Sequence, residues 1–353
     1  METRQLGHSG LQVSRVGLGT MMFGEMVSKE RAYAQLDEAF AAGVTLVDTA
    51  EMYPVPLRPE TFGRTEEIVG RWLSRTGRRA DIVLSTKIVG PPPDQVVGPT
   101  SSLRYIRDGE TRLTAGNIIR AVEGSLKRLG TDYLDLIHPH WPDRRTNSLK
   151  LRDFPGDGEP SVPIEETLTA LDQLVRDGKV RAIAVSNETA WGLHRYQCAE
   201  DELGTAAVCA VQNAYNLLCR TYEVGLAEFA HRSGVPLVAY SPLAMGVLTG
   251  KYLHGARPAG ARLSEHPHPR YTSPAAYEAT EAYCRIAANA GMSPAALALR
   301  FVLSQPFVAS VLIAASSLRQ LADNLTACAI GPLDPAVLAA IEAVHERIPN
   351  PGP

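Results

Sequence analysis

Four side chains able to do acid, base or ion-pair chemistry stand at or just beyond the ends of apolar runs. They are Asp48 after Leu46-Val47, Tyr53 a few residues on, Lys87 after Ile82-Val83-Leu84-Ser85-Thr86, and His140 closing the stretch that begins at Tyr133. Short apolar runs bounded by turn residues read as buried strands, so each group falls at or near a strand's carboxyl end. A phenol ionises near pH 10, and a neighbouring cation lowers that value by roughly 1–3 units. Tyr53 beside Lys87 is therefore expected to stay protonated at neutral pH yet release its proton more readily, which suits a general acid acting on a carbonyl oxygen. Asp48 would hold the Lys87 ammonium in place and charged, because an unpartnered buried lysine tends to lose its proton. His140 would donate to the substrate oxygen and orient it.

Other chemistries are weighed against this one. Residues two apart on a strand share a face, so His138-Pro139-His140 could supply two metal ligands. No second histidine cluster or carboxylate set stands at the other strand ends, and His266 and His268 lie in a proline-rich loop, so no metal site is expected. A metal-dependent hydrolase would show itself by stoichiometric metal and sensitivity to chelators. Gly17 and Gly19 followed by Gly24 have the wrong spacing for the dinucleotide fingerprint. Gly246 to Lys251 is one residue short of a phosphate-binding loop and lacks its Ser or Thr. A nucleotide site, if built, needs another construction.

Bringing the four groups together requires a scaffold with many strand ends on one rim. Strands expected at 17–20, 46–49, 82–86, 134–138, 182–185, 208–212, 237–240 and 309–313 each precede a helical pattern. Those helices are expected at 28–42, 65–75, 117–129, 164–177, 189–199, 222–232, within 274–304 and at 318–327, with Ser28 as an N-cap and Gly43 as a stop. Eight such units with right-handed crossovers close into an α/β fold of the (β/α)8 TIM-barrel type. A β-hairpin from 4–6 and 12–16 around Gly7-His8-Ser9-Gly10 would plug one end, and 335–346 would add a last helix. Helix-to-strand joints such as 130–132 and 177–179 are terse, whereas the strand-to-helix joints at 90–116, 141–163 and 244–273 are long. Long loops in compact domains are usually functional, which puts the working face at the carboxyl ends of the strands.

Composition allows this. Of 353 residues, 45% are hydrophobic and 21% charged, enough for one large barrel domain spanning 1–353. A net charge of −3 gives no electrostatic case for nucleic acid or an anionic membrane. Five cysteines, odd in number, widely spaced and without a C-x-x-C pair, argue against a disulfide framework or zinc knuckle. The amino terminus lacks an apolar signal region, and the apolar stretch at 308–315 is too short to span a bilayer. A cytoplasmic location is the expectation.

The motifs together resemble the aldo-keto reductase family over nearly the whole chain. The matching stretches are Gly17-Leu18-Gly19-Thr20-Met21, Asp48-Thr49-Ala50-Glu51-Met52-Tyr53, Ser85-Thr86-Lys87, Asp132-Tyr133-Leu134-Asp135-Leu136 leading to His140-Trp141, Val185-Ser186-Asn187, Val211-Gln212-Asn213, Ala239-Tyr240-Ser241-Pro242-Leu243, and the pair Gln320 and Asn324. Glu51-Met52-Tyr53-Pro54 with Arg58-Pro59-Glu60-Thr61 is similar to the bacterial Tas-type branch, a relative of potassium-channel β-subunits.

The resemblance implies that Asp48, Tyr53, Lys87 and His140 are the catalytic four, with Tyr53 the proton donor, and that NADPH or NADP+ binds without a Rossmann domain. Gly19, Thr20 and Met21, with Asp48, would lie near the nicotinamide ribose. Ser186, Asn187 and Gln212 would hold the carboxamide, and Tyr240 would stack on the ring. Ser241, Leu243, Gly246, Leu248 and Lys251 would line the pyrophosphate, with Arg262, Ser316, Gln320 and Asn324 around the adenosine 2′-phosphate. Met22, Tyr53 and Trp141 would wall an apolar pocket for a small-molecule carbonyl or alcohol. Two departures stand out: Ala314 where the family usually has Gly, and His138 where related proteins often carry Gln. Normal NADPH binding with an altered pH dependence is the expectation from these. A different class of function, a redox-sensing regulatory subunit that holds NADPH with little turnover, is the alternative. A homo-oligomer is compatible with the family.

Overall fold

In the computed structural model, residues 1–92, 103–147, 154, 156 and 160–352 are described, so the loops expected at 90–116 and 141–163 lie partly outside the described residues. Two short antiparallel strands, β1 (Thr3–Gln5) and β2 (Gln12–Ser14), form the expected hairpin. Eight parallel strands follow: β3 (Val16–Gly19), β4 (Leu46–Asp48), β5 (Val83–Ile88), β6 (Leu134–Pro139), β7 (Val180–Ser186), β8 (Val208–Ala214), β9 (Leu237–Tyr240) and β10 (Val308–Ile313). They close into a barrel in sequence order, β10 pairing with β3. Between and after them run α1 (Lys29–Ala41), α2 (Arg64–Thr76), α3 (Ala115–Leu129), α4 (Ile164–Arg176), α5 (Ala190–Leu203), α6 (Leu226–Ser233), α7 (Arg262–Glu265), α8 (Pro274–Asn289), α9 (Pro294–Leu303), α10 (Leu318–Ala329) and α11 (Pro335–Arg347). This is the (β/α)8 barrel that the sequence implied.

Helix starts follow local chemistry. Ser28, Thr189, Ser273, Ser293, Ser317 and Asp334 each accept a backbone N–H in the first turn of the helix that follows. Among the helix starts the largest departure from expectation is that of the helix read at 222–232, which begins only at Leu226. Gly225 has φ +94°, outside any helix, and Thr221–Glu223 makes a separate 3-10 turn before it. Among the described residues no single helix is long and apolar enough to cross a membrane.

The two-residue period of a strand sorts the side chains into layers. Val47, Leu84, Ile137, Ile183 and Val211 face outward and pack with the helices in the larger core. Their neighbours Leu46, Val83, Leu136, Ala182 and Ala210 face into the barrel and pack with Leu6, Leu11 and Val13 of the hairpin. The hairpin therefore seals the amino-terminal end of the barrel. Gly7 makes that closure possible: at φ +53° its position leaves so little room that a Cβ would stand 2.1 Å from the Cys209 carbonyl oxygen. One step further along the same inward faces the layer turns polar, with Asp48, Ser85, Lys87, His138, Ser186 and Gln212, all buried.

Candidate active site

Strand register delivers the reactive groups to one place. Asp48 pairs with Ser85 across β4 and β5, and Lys87 with His138 across β5 and β6. The Asp48 carboxylate accepts from Lys87 Nζ at 2.5 Å on Oδ2, and from Ser85 Oγ at 2.8 Å and Gln212 Nε2 at 2.9 Å on Oδ1. Lys87 donates also to the Thr49 carbonyl at 2.8 Å. A charge pair this buried is tolerated because its hydrogen-bonding capacity is largely used. Burial pulls the Lys87 ammonium below its ordinary range, and Asp48 opposes that pull.

Tyr53 completes the group from the loop after β4. Its ring lies 5.4 Å from Lys87 Nζ and meets the His140 imidazole edge-on at 5.7 Å between centroids. The expected lowering of its proton affinity by Lys87 is not what the structure gives. Burial, and after it the Asp48 charge, raise the phenol above its ordinary value. The reason is geometric: the ammonium is spent on Asp48 and Thr49, so the pair presents little net positive field to the phenol. Tyr53 is held as a protonated donor.

His140 is neutral, its pKa driven well below the ordinary histidine value by burial, then by Lys87 and His138. Among the described residues its Nδ1 is buried without a partner. A proton on Nε2 leaves only a lone pair at that spot rather than an orphaned N–H, so Nε2 is the donor that His140 can offer to a ligand.

His138 lies below, 3.0 Å from Ser85 Oγ through Nε2 and 3.4 Å from the Val185 carbonyl through Nδ1. Burial first, then Lys87, lower its pKa to about 4. This corrects the expectation of an altered activity profile, because a group that stays neutral above about 4 has nothing to titrate near pH 7. Its effect falls on stability instead. The folded pKa is below the unfolded value of about 6.5, so between the two the unfolded chain binds more protons and stability declines as pH falls. In His138→Gln that decline, read by urea unfolding from pH 7.5 down to 4.5, should be shallower, with turnover between pH 6 and 9 keeping its wild-type shape. Parallel declines in the two proteins would refute the assignment.

The polar layer opens into a cavity of about 990 Å³. Gly19, Thr20, Met21, Met22, Asp48, Tyr53, His140 and Trp141 line it, as do Ser186, Asn187, Gln212, Tyr240, Ser241, Leu243, Gly246, Lys251, Arg262, Ser316, Gln320 and Asn324. Lys87 stands behind Asp48 rather than on the wall, at 1% exposure. Leu248 is not on the wall either: it turns into the hydrophobic core within the 3-10 segment Ala244–Thr249, which corrects its expected place at a pyrophosphate. Ala314, the second departure, is on the wall and exposed.

Several of these residues hold one another. Asn187, at φ +55°, donates through Nδ2 to the His140 carbonyl at 2.8 Å and to Ser186 Oγ at 3.1 Å, and accepts from the Tyr240 hydroxyl at 2.7 Å. Ser186 Oγ donates to the Gln212 carbonyl at 2.8 Å. Ser316 Oγ donates to Gln320 Oε1 at 2.9 Å. The Arg262 guanidinium is close enough to Tyr53 to oppose the rise in its pKa, so it stands toward the phenol. Residues on the wall that sequence reasoning missed include Arg270, whose guanidinium lies 5.8 Å from the Tyr240 ring centroid, and the methionines Met26, Met52, Met245 and Met292. A proline-rich stretch gives no periodic signal for the first, and the methionines stand outside the α-helices and strands, where no spacing rule applies.

With this geometry in hand, comparison with known proteins is informative. Residues 15–346 match the aldo/keto reductase family. The chain is 46% identical to Protein tas of Escherichia coli over the full length of both. It is 33% identical, over all of itself and 97% of the relative, to the uncharacterized oxidoreductase YrpG of Bacillus subtilis. It is also 31% identical, over 99% of itself and 98% of the relative, to a probable voltage-gated potassium channel subunit beta of rice. These matches support a general oxidoreductase, and the chain belongs to the aldo/keto reductase family.

Proposed function

We propose that the protein interconverts aldehydes or ketones and alcohols with NADPH, Tyr53 serving as the general acid and base. What carries this reading is a single juxtaposition: a phenol kept protonated by burial, with His140 edge-on to it and the Asp48–Lys87 pair behind, on the wall of one large cavity. At about 990 Å³ the cavity lies at the upper end of the range of roughly 300–1,000 Å³ found for ligand pockets.

The residues fit NADPH. Lys251, Arg262 and Arg270 line the cavity, and among the described residues none of them forms an ion pair, which suits a ligand with several phosphate charges. Gly246, at φ +91°, lies beside Lys251 and presents bare backbone, so a phosphate can come close. Ser316, Gln320 and Asn324 offer polar groups at the α10 side for the 2′-phosphate, and Tyr240 offers a flat face for the nicotinamide. When bound, NADPH supplies a hydride.

The chain's own groups do the rest. His140 donates to the substrate oxygen and fixes its direction. Tyr53 gives that oxygen a proton as negative charge develops there. Lys87 and Asp48 hold each other as a pair behind the phenol and so fix the surroundings in which it gives up its proton. Met22, Met26, Met52, Val55 and Trp141 give the substrate end an apolar, deformable wall. Bulky apolar carbonyls are thus the favoured class.

A panel of aromatic and aliphatic aldehydes and ketones, followed by NADPH oxidation, tests the reading. The expected result is turnover with at least one bulky apolar carbonyl, and binding of NADPH at least about tenfold tighter than NADH, as an added charge-paired phosphate warrants. The rice relative's name motivates a second reading, a cofactor-holding regulatory subunit. Tight NADPH binding with no turnover across the panel would favour that one.

A further inference from the structure

A third, small hydrophobic cluster sits over the mouth of the barrel, apart from both larger cores. It holds Ala50, Met52, Val89, Leu103, Ile106 and Trp141, with Tyr53 packed against it. At its centre is a buried ion pair between Glu51 and Arg107, with side chains 1% and 7% exposed. Glu51 is two residues before the phenol; Arg107 belongs to the loop after β5.

The pair closes a ring of hydrogen bonds around Val89, just past the end of β5. The Val89 N–H donates to Glu51 Oε1 at 2.6 Å, and the Val89 carbonyl accepts from Arg107 NH2 at 2.7 Å. Arg107 NH1 closes the ring onto the same carboxylate oxygen. The Glu51 N–H reaches the Lys87 carbonyl at 3.2 Å, so the segment carrying the phenol runs alongside β5 beyond the last paired residue of β4. Arg107 also shapes its own turn, donating through Nε to the Glu110 carbonyl at 3.2 Å, and its φ of +46° is one a non-glycine residue rarely adopts. Three separate chain segments, ending β4, ending β5 and following it, thus meet at one guanidinium. A planar fork with fixed donors suits that task better than a flexible ammonium.

We infer that Arg107 is a positioning residue: through Glu51 it latches the loop after β5 onto the segment bearing Tyr53 and so fixes the phenol against the substrate oxygen. This rests on the reading of Tyr53 as the proton donor. The rate of proton and hydride transfer depends on sub-ångström placement, and a shift of about 1 Å in a reacting group can cost about a hundredfold. NADPH contacts are elsewhere in the cavity and should not feel the latch.

The test uses Arg107→Ala and Glu51→Gln in the full chain, with Tyr53→Phe alongside. Single-turnover reduction with NADPH bound beforehand should slow by about 10–100-fold in Arg107→Ala. NADPH affinity and KM for the carbonyl should stay within about twofold. Millimolar methylguanidinium should restore part of the lost rate in Arg107→Ala and do nothing for Tyr53→Phe. Glu51→Gln retains an acceptor for Val89 but not the charge, and should lose rate in the same direction, less steeply. An unchanged transfer rate in both latch variants overturns the inference. So does a loss of rate that comes with an equal loss of NADPH affinity and no rescue, since that marks general disruption. If instead Tyr53→Phe turns over normally, the proton-donor reading itself fails, whatever the latch variants do.

Discussion

Tyr53→Phe is expected to lower carbonyl reduction by about a thousandfold while leaving NADPH affinity within about twofold. Deleting one oxygen removes the proton that the general acid hands to the forming alkoxide, and positioned acids contribute about 10²–10⁴-fold. The ring remains, so its edge contact with His140 and its packing against the cluster of Met52 and Leu103 should persist. Steady-state kcat/KM at pH 7, beside fluorescence titration with NADPH, checks both halves. The raised proton affinity of the phenol adds a second expectation to the same experiment. Because burial keeps Tyr53 protonated through neutral and moderately alkaline pH, wild-type reduction should show no fall from loss of that proton as pH rises toward 9. Turnover in Tyr53→Phe within tenfold of wild type would remove Tyr53 from the chemistry.

Breaking the Asp48–Lys87 pair should be the most damaging change to the fold among the site residues. Lys87→Met keeps the aliphatic stem but leaves the Asp48 carboxylate buried with, among the described residues, only Ser85 and Gln212 as donors. Removing one member of a buried pair costs about 3–5 kcal/mol, because the other charge is stranded. The double variant Asp48→Asn with Lys87→Met strands no charge and should be more stable than Lys87→Met alone. Both should lose most turnover, since the hydrogen-bonded pair that fixes the phenol's surroundings is then gone. Urea unfolding of the two single variants and the double closes the cycle. Stability losses that simply add would show that the pair is not one energetic unit.

Much of this was open to reading in the sequence, and the reason is the strand period. Leu46 and Asp48, Val83 with Ser85 and Lys87, and Leu136 with His138 and His140 share inward faces because alternate residues must. An apolar residue followed two positions later by a reactive one therefore marks a strand that is core below and site above. The repeated strand and helix units fixed the closure, since eight of them have few other ways to bury both faces of a parallel sheet.

What could not be read depends on paths through loops. Leu248 points into the core because Met245 and Gly246 take left-handed conformations that no spacing rule anticipates. Arg270 reaches the Tyr240 ring from a stretch without periodicity. Arg107 meets Glu51 across a long separation in sequence, and only the folded loop brings them together. The sign of the shift at Tyr53 was misjudged for a related reason. A lysine nearby in space lowers a phenol's proton affinity only if its charge is free, and here Asp48 takes it up at 2.5 Å.

The central claim is that a carbonyl carbon receives hydride from a nicotinamide seated in this cavity while Tyr53 protonates its oxygen. Reduction of a bulky apolar ketone with NADPH deuterated at one or the other prochiral C4 position tests it most directly, with the alcohol examined by mass spectrometry and NMR. The account predicts deuterium on the carbinol carbon from one C4 position only, in a single configuration. Alcohol carrying no deuterium from either labelled cofactor, or a racemic product labelled equally from both, would contradict it.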